Sequence, residues 1–565
     1  MDIQRIVLIG ALAVISYLLV LQWNQDYGNT NAPVATTPVS SYSAAPDISA
    51  NDQAAPAAED IPSAAPVAAP GDSALPVAGS TAGHSNNGLI AVTTDTLELL
   101  IDPYGGDIIQ AALPQHLALL STGQSFVLLE QNDSRVYTAQ SGLTGANGPD
   151  NSATRPRYQS AAASYSLAEG QDNLTVDLTL QQDSGVVITK RFEFSRGDYL
   201  VKVSYLIDNQ SDQPWQGNLF GQLKRDRTAD PSTQTSMGMQ SYLGPAFSTE
   251  SEKYLKYSFD DVDDAKFGAK SAGGWVAMLQ HYFVSAWVPN PEQSHNYFAR
   301  ERGGNYLAGF VSPTLNVAPG QQGVTSANLY VGPKVQERLE QVGPNLELTV
   351  DFGWLWWIAQ PLFWLLKLFH DFVNNWGVAI ILVTLVVKAI FFPLSAKAYN
   401  SMAKMRAVAP ELQRMKEMYG DDRQKMSQAM MKLYQKEKIN PLGGCLPILI
   451  QMPVFIALYW VLLESVELRH APFMLWIQDL SVMDPYFVLP ILMGATMFVQ
   501  QMLNPTPPDP MQAKIMKMLP FVFTFFFLWF PAGLVLYWVV NNVLSIAQQW
   551  VITRRIEAEA SAKRS

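Results

Sequence analysis

The residues with most to say about chemistry are a lysine and a threonine inside an apolar run. Trp376 to Leu394 reads WGVAIILVTLVVKAIFFPL, about the length that crosses a bilayer core, and Lys388 is its one charge. Thr384 lies four residues earlier, so hydroxyl and ammonium share a helical face. A lysine near the middle of a membrane helix costs roughly 2.5–3.5 kcal/mol on insertion scales, which argues for a use. Lys388 also stands roughly 9 Å by helical rise from the Leu394 end, close enough for its stem to carry the charge toward the interface. This run alone leaves both readings open.

Polar residues of the later apolar runs bear on the choice. Gln451, Gln500, Gln501, Asn504, Asn541, Asn542, Ser545, Gln548 and Gln549 gather toward the inner half of their runs. Carboxylates are missing there, since Glu464 and Glu467 fall at the outer end. An unpaired buried ammonium is expensive, so the expected arrangement is a hydrated cavity lined by amides and hydroxyls, open inward and closed outward. Such a cavity offers a fixed positive charge to a visiting anion. Met493, Met497, Met502, Met511, Met516 and Met518, with the run FVFTFFFLWF, add a soft apolar wall that can re-pack around many partners, although about half of these residues are expected simply to face lipid. The combination suits a guest that is part charged and part apolar, such as a nascent membrane segment. The candidate binding set read from these residues is Lys388, Thr384, Gln501, Gln451, Asn541, Met497 and Met516.

Other candidates are weaker. His281, beside Tyr282 and Phe283, reads as a satisfied strand residue, and the acids Asp260, Asp261, Asp263 and Asp264 read as a solvated loop. Cys445, the single cysteine, lies in an apolar segment as a packed residue and forms no disulfide framework. No Walker motif, metal cluster or nucleophile–base pair stands out, so neither an enzyme nor a cofactor is expected.

The elements that must position these residues emerge from patterning. Between Asn24 and Phe352 acids outnumber Lys and Arg by 17, whereas the remainder carries six more Lys and Arg than acids. The first part reads as a soluble domain, the second as membrane spans with cytoplasmic loops. Residues 1–23 hold Arg5 and then an apolar run without a small-x-small cleavage site, which predicts an uncleaved signal anchor. Residues 24–87 are rich in Pro, Ala and Ser and have too little apolar surface to offset chain entropy, predicting a disordered linker. Over 88–345 the period is two, as in Val186, Ile188, Phe192 and Phe194, which predicts an all-β sandwich domain. GPKVQERLEQVGPNLE, at its end, predicts a short connecting helix.

In 350–372 the density of Trp354, Trp356, Trp357 and Trp364, with Pro361, Lys367, His370 and Asp371, predicts an interfacial amphipathic helix. Residues 373–394 then form the span with Lys388. Residues 395–440 carry ten Lys and Arg against five acids, which assigns them to the cytoplasm as a helical hairpin turning at Gly420-Asp421-Asp422. Four spans occupy 441–552, at Cys445–Leu463, Tyr486–Leu503, Ile515–Phe530 and Leu534–Ile552, before a short tail, 553–565. The sum is a polytopic α-helical bundle of six spans with both termini cytoplasmic and the large domain outside. Several spans are short, which predicts local bilayer thinning.

The segments VTLVVKAIFFPL, SMAKMR, NPLGGCLPILIQMPVFIALYW, DPYFVLPILMGATM, DPMQAKIMKMLP and FPAGLVLYWVVNN resemble the YidC/Oxa/Alb family of membrane insertases, densely so across residues 350–552. The soluble domain and anchor resemble the Gram-negative form of that family. The resemblance implies a β-supersandwich periplasmic domain similar to sugar-mutarotase folds, and five spans forming the insertase core. It implies an insertase and chaperone of the bacterial inner membrane, acting alone or with the Sec translocon. Its partners would be nascent membrane proteins, the lipid bilayer, and the ribosome or signal recognition particle pathway through the cytoplasmic hairpin, with no nucleic-acid sequence recognition. The family's groove charge, usually Arg, matches Lys388, and other groove positions match Thr384, Gln501 and Trp538, the last standing where relatives often have Tyr. Lys keeps the charge but lacks the bidentate fork. The short tail argues against tail-mediated ribosome binding. Two other readings are an ion-coupled transporter, which would want acids or His inside the spans, and a membrane-anchored periplasmic carbohydrate-binding protein, which leaves five spans unexplained.

Overall fold

The structure is a computed structural model that describes residue 62 and residues 88–151, 155–232, 241–420, 422–437, 446–503 and 510–562. The expected anchor at 1–23 lies outside the described residues, as does 24–87 apart from residue 62. From residue 88 the chain builds a β-rich region and then a helical one. Strands fall into two sheets, one of ten strands and one of nine among the described residues. In the second sheet Asn173–Gln181, Val186–Ser195 and Leu200–Asn209 pair antiparallel in succession, and Leu200–Asn209 pairs on its other edge with Gln321–Pro333. Val186, Ile188, Phe192 and Phe194 point inward along one strand and are buried, because side chains alternate faces along an extended chain. Buried residues of both sheets merge into one apolar core.

Helices are numbered in chain order. Helix α1 is Phe259–Asp264, α2 Gln336–Val342, α3 Trp356–Val373, α4 Trp376–Ile390, α5 Phe392–Ala407 and α6 Ala409–Tyr419. Then come α7 Arg423–Lys436, α8 Leu446–Glu464, α9 Val488–Leu503, α10 Pro510–Phe526 and α11 Ala532–Ala562. Helix α1 corrects the expectation of a solvated acidic loop. Ser258 caps it and Asp261 returns the bond to the Ser258 N–H, a capping box, while Asp260 and Asp263 both pair with Arg227. Helix α3 buries Ala359, Leu362, Phe363 and Leu366 and leaves Trp356, Trp357 and Trp364 exposed on its other face.

The Lys388 segment is not one straight helix to Leu394. Helix α4 stops at Ile390, and the next helix departs at 67°. Pro393 explains the break: it has no N–H for the Ala389 carbonyl, and its ring crowds the preceding turn. Among the described residues no single helix is both long and apolar enough to cross a membrane, whereas this bent pair passes that test together. Two more boundaries differ from the sequence reading. Helix α10 begins at Pro510 and gives way to a short 3-10 turn at Phe527–Trp529, and α11 runs on to Ala562 where a tail was expected from 553. Helix α11 is the hub, packing on α4, α5, α8 and α9.

The helical region is docked onto the β-rich one. Trp275, Ala277, Val284, Ala286 and Tyr330 share one apolar cluster with Leu339 of α2, Leu366 of α3 and Leu462 of α8. The last turn of α8 is held by polar contacts. Glu464 pairs with Lys334 at 3.0 Å, both fully buried, and also accepts from Ser241. His281 Nε2 sits 2.8 Å from the Leu463 carbonyl and therefore carries the proton, while Nδ1 is buried without a partner among the described residues. His281 is thus a hairpin-turn residue reaching into another element, where a satisfied strand residue was expected.

Candidate functional site

Lys388 is 8% exposed, and its ammonium donates to Ser545 Oγ at 2.8 Å across the α4–α11 interface. Ser545 spends its own proton on the Asn541 carbonyl one turn back, at 2.7 Å, which leaves its lone pairs for the lysine. Tyr399 of α5 also hydrogen-bonds to Ser545. Among the described residues the charge is therefore bound by a hydroxyl rather than by a carboxylate. Thr384 is buried one turn from Lys388, but its hydroxyl donates to the Ile380 carbonyl of its own helix at 2.7 Å.

Helix α11 supplies most of the other side chains. Tyr537, Asn541 and Ser545 recur every four residues and so lie along one face. Gln451 of α8 donates to Tyr537 Oη at 2.6 Å, joining α8 to that face. Asn541 is half-buried, and its side-chain oxygen has no partner among the described residues. On the next face Asn542 donates to Thr496 and Gln549 donates to the Leu503 carbonyl, clipping α11 to α9. The structure thus brings Lys388, through Ser545, and Gln451, through Tyr537, onto the face of α11 that carries Asn541, while Thr384 stays one turn from Lys388 on α4. Ser545, Tyr537 and Tyr399 complete that group. Ser545 stood among the polar residues of the sequence without a role, and the four-residue spacing from Tyr537 was the signal for the pair.

The remaining members lie apart. Trp538 points into an aromatic group, with ring centroids 4.5 Å from Phe455 and 5.3 Å from Phe527, and its indole N–H has no partner among the described residues. Gln501 is half-buried near the end of α9, and Met497 packs partly against the bundle core. Met516 is half-buried on α10. Around them Phe498, Val499 and Met502 of α9, and Ile515, Phe521 and Phe525 of α10, are exposed. Helices α9 and α10 approach closely at Gly494, where an added Cβ would run into Thr524 Oγ1.

Toward the start of α4 the character changes. Ala379, Ile380 and Val383, with Leu458, Val461 and Leu462 of α8 and Leu534 and Val535 of α11, are all fully buried. A dry apolar plug therefore closes one end of the polar site, and the amides lie at the other. The arrangement can offer a cation, with donors unused among the described residues, to an anionic group and an adjacent apolar surface to a greasy one. Among the described residues no three His, Cys, Asp or Glu come together as a metal site.

Comparison with known proteins covers the whole chain. Residues 89–365 match the family described as YidC periplasmic domain, and residues 368–559 the family described as 60Kd inner membrane protein. The membrane protein insertase YidC of Pseudomonas fluorescens strain SBW25 is 58% identical over the full length of both chains. That of Stutzerimonas stutzeri strain A1501 is 57% identical over 99% of this chain and all of its own. A solved structure of an active YidC insertase with its first transmembrane domain resolved is 18% identical, covering 82% of this chain and 92% of that one, with a TM-score of 0.38.

Proposed function

The chain belongs to the YidC family of membrane protein insertases, and from that premise we propose how it takes up and releases a guest segment. It is an insertase and chaperone of the inner membrane, with its β-rich domain in the periplasm, and it performs no covalent catalysis. Nascent membrane proteins and the Sec translocon are the partners typical of the family.

In our reading six spans cross the membrane, residues 1–23 forming the first and α4, α8, α9, α10 and α11 the insertase core. Both termini and the α6–α7 pair then lie in the cytoplasm, where the basic residues of 395–440 favour them and where the ribosome or the targeting pathway would dock. The polar end of the site opens to the cytoplasm, and the dry plug faces outward. A short acidic segment of the guest enters first and pairs with Lys388, flanked by Thr384, Gln451, Asn541 and Gln501. The apolar segment behind it leaves sideways past Trp538, Met497 and Met516, where burial in lipid gains about 25 cal/mol per Å² over water.

One observation carries this reading: a buried ammonium whose partner is a neutral hydroxyl. A structural buried lysine would be expected to face a carboxylate, because an uncompensated buried charge is costly. A lysine that must receive a visiting anion is better left with a weak partner. Photoreactive side chains placed at Thr384, Asn541 and Met516 test this against ribosome-held nascent chains. Crosslinks from Thr384 and Asn541 to the acidic segment, and from Met516 to the apolar one, are expected. Crosslinks confined to other faces would remove the groove from the mechanism.

A further inference from the structure

The last turn of α8 ends in two acceptors, the Leu463 carbonyl and the Glu464 carboxylate, and both are satisfied by residues of the β-rich region and the segment leading out of it. Lys334 Nζ reaches Glu464 at 3.0 Å and the Thr349 carbonyl at 3.3 Å, with 3% and 4% of the two pairing side chains exposed. Ser241 donates to the other carboxylate oxygen. His281 donates through Nε2 to Leu463, and its own backbone N–H is fixed by Asp230 at 2.7 Å. The turn that carries His281 is backed by the guanidiniums of Arg135 and Arg225, which lie within hydrogen-bonding reach of the Gln280 amide and fix its orientation with the oxygen toward them.

These contacts do more than join two regions. A helix end leaves its last carbonyls without intrahelical partners, and an ion pair formed out of water is sensitive to the loss of either member. One turn inward on the same helix stand Leu458, Val461 and Leu462, the α8 side of the dry plug against Ile380 and Val383 of α4 and Leu534 of α11. The fixed end of α8 is therefore continuous with the plug. We infer that Lys334 and His281 are positioning residues for insertion: by satisfying the final carboxylate and carbonyl of α8 they hold its outer turn in place and keep the outward end of the groove closed to water. This rests on the groove reading proposed above.

The test uses the full chain in membrane vesicles with the periplasmic face outward. Cys445 is changed to Ser, and Ile380→Cys serves as a reporter inside the plug. A membrane-impermeant maleimide is added from the periplasmic side. With the junction intact the reporter should react slowly. Lys334→Met and His281→Ala should each raise its rate tenfold or more, whereas Lys334→Arg and His281→Gln, which keep a donor in place, should stay within about twofold of the parent. His281→Ala leaves the ion pair untouched, so it decides the matter if Lys334→Met does not accumulate in the membrane. Unchanged rates in correctly oriented Lys334→Met and His281→Ala protein overturn the inference, and so do conservative variants that react as fast as the disruptive ones. A reporter that already reacts quickly with the junction intact refutes the closed outer end itself, and Thr384→Cys probed from the cytoplasmic face tests the groove reading separately.

Discussion

Lys388 carries three N–H donors, and its described partner, Ser545, takes one. The two donors left over are what a carboxylate would use. Two unit charges 4 Å apart attract by roughly 4 kcal/mol at an effective dielectric of 20, before the cost of stripping water from the guest. A membrane potential positive outside adds about 2.3 kcal/mol per acidic charge per 100 mV in the same direction. Since these two terms are comparable, removing the lysine should slow an acidic guest without abolishing its passage. Lys388→Ala is expected to lower translocation of an acidic Sec-independent substrate about tenfold, which corresponds to about 1.4 kcal/mol. The same substrate with its acids neutralised should depend far less on Lys388, and Lys388→Arg should preserve insertion. Protease accessibility of the translocated segment, measured for both substrates in both backgrounds, checks this. Strictly additive effects would mean that the groove charge does not act on substrate carboxylates.

Much of the site was legible at the level of single elements, and the limits have physical causes. One cation in an apolar run is visible in any sequence, so Lys388 stood out. Its partner did not, because Ser545 lies on a helix far along the chain and only packing shows which face of α11 turns toward α4. The break after Ile390 was written in Pro393, but a count of apolar residues passes over a proline that bends a helix. The Ser258 capping box was also present in the sequence, masked by the charge of the acids around it. At Gly494 the sequence shows only a small residue; the structure shows α10 against it. Gly494→Ala is expected to cost about 1–3 kcal/mol by overpacking, with part recovered in Gly494→Ala/Thr524→Ala, as thermal unfolding in detergent would report. The hairpin turn at His281 predicts a pH response. Burial lowers the His281 pKa, with Lys334 adding to the effect and Glu464, Asp230 and the Leu463 bond opposing it. A histidine held neutral in the fold contributes stability above its unfolded pKa of about 6.5, and that stability is lost as the pH falls. His116, lowered to about 4 by burial and by Arg469 and His470, acts in the same sense, whereas Glu467, raised to about 7 by burial, gains stability through nearly the same window and offsets it. Burial lowers His295 and His470 as well. The unfolding midpoint should therefore fall between pH 7.5 and 5.5, and fall less in His281→Gln; an equal fall in both proteins would take His281 out of the acid response.

On the scale of the whole molecule, the charge split between an acidic β-rich region and a basic helical one was readable from composition, but the joint between them was not. The docking depends on side chains such as Trp275, Ala286 and Tyr330, which alternate along strands like any core residue yet point toward the helices. Lys334 and Glu464 are likewise ordinary charges in sequence and a buried pair in the fold. This joint sharpens what a truncation should do. Removing Leu89–Tyr330 takes away Ser241, His281 and the strands beneath α2, but it leaves Lys334, Glu464 and every residue around Lys388. No deleted residue touches the guest in the proposed groove, and Lys334 still holds Glu464 once His281 is gone, so insertion of Sec-independent substrates should persist per molecule of truncated protein, with a leakier outer end to the groove. Stability should not survive equally, because the apolar surface of α2 and the outer turn of α8 lose their cover, at about 25 cal/mol for each Å² returned to water. The truncated protein is therefore expected to unfold at a lower temperature and to accumulate less, with activity falling in proportion to its amount. Adding Lys334→Met to the truncation should be worse than adding it to the full chain, since the ion pair is then the main restraint left on the end of α8. Quantifying insertion against the amount of correctly oriented protein separates the two effects. A truncated protein that is stable and correctly oriented yet wholly inactive would show that the periplasmic domain takes part in insertion itself.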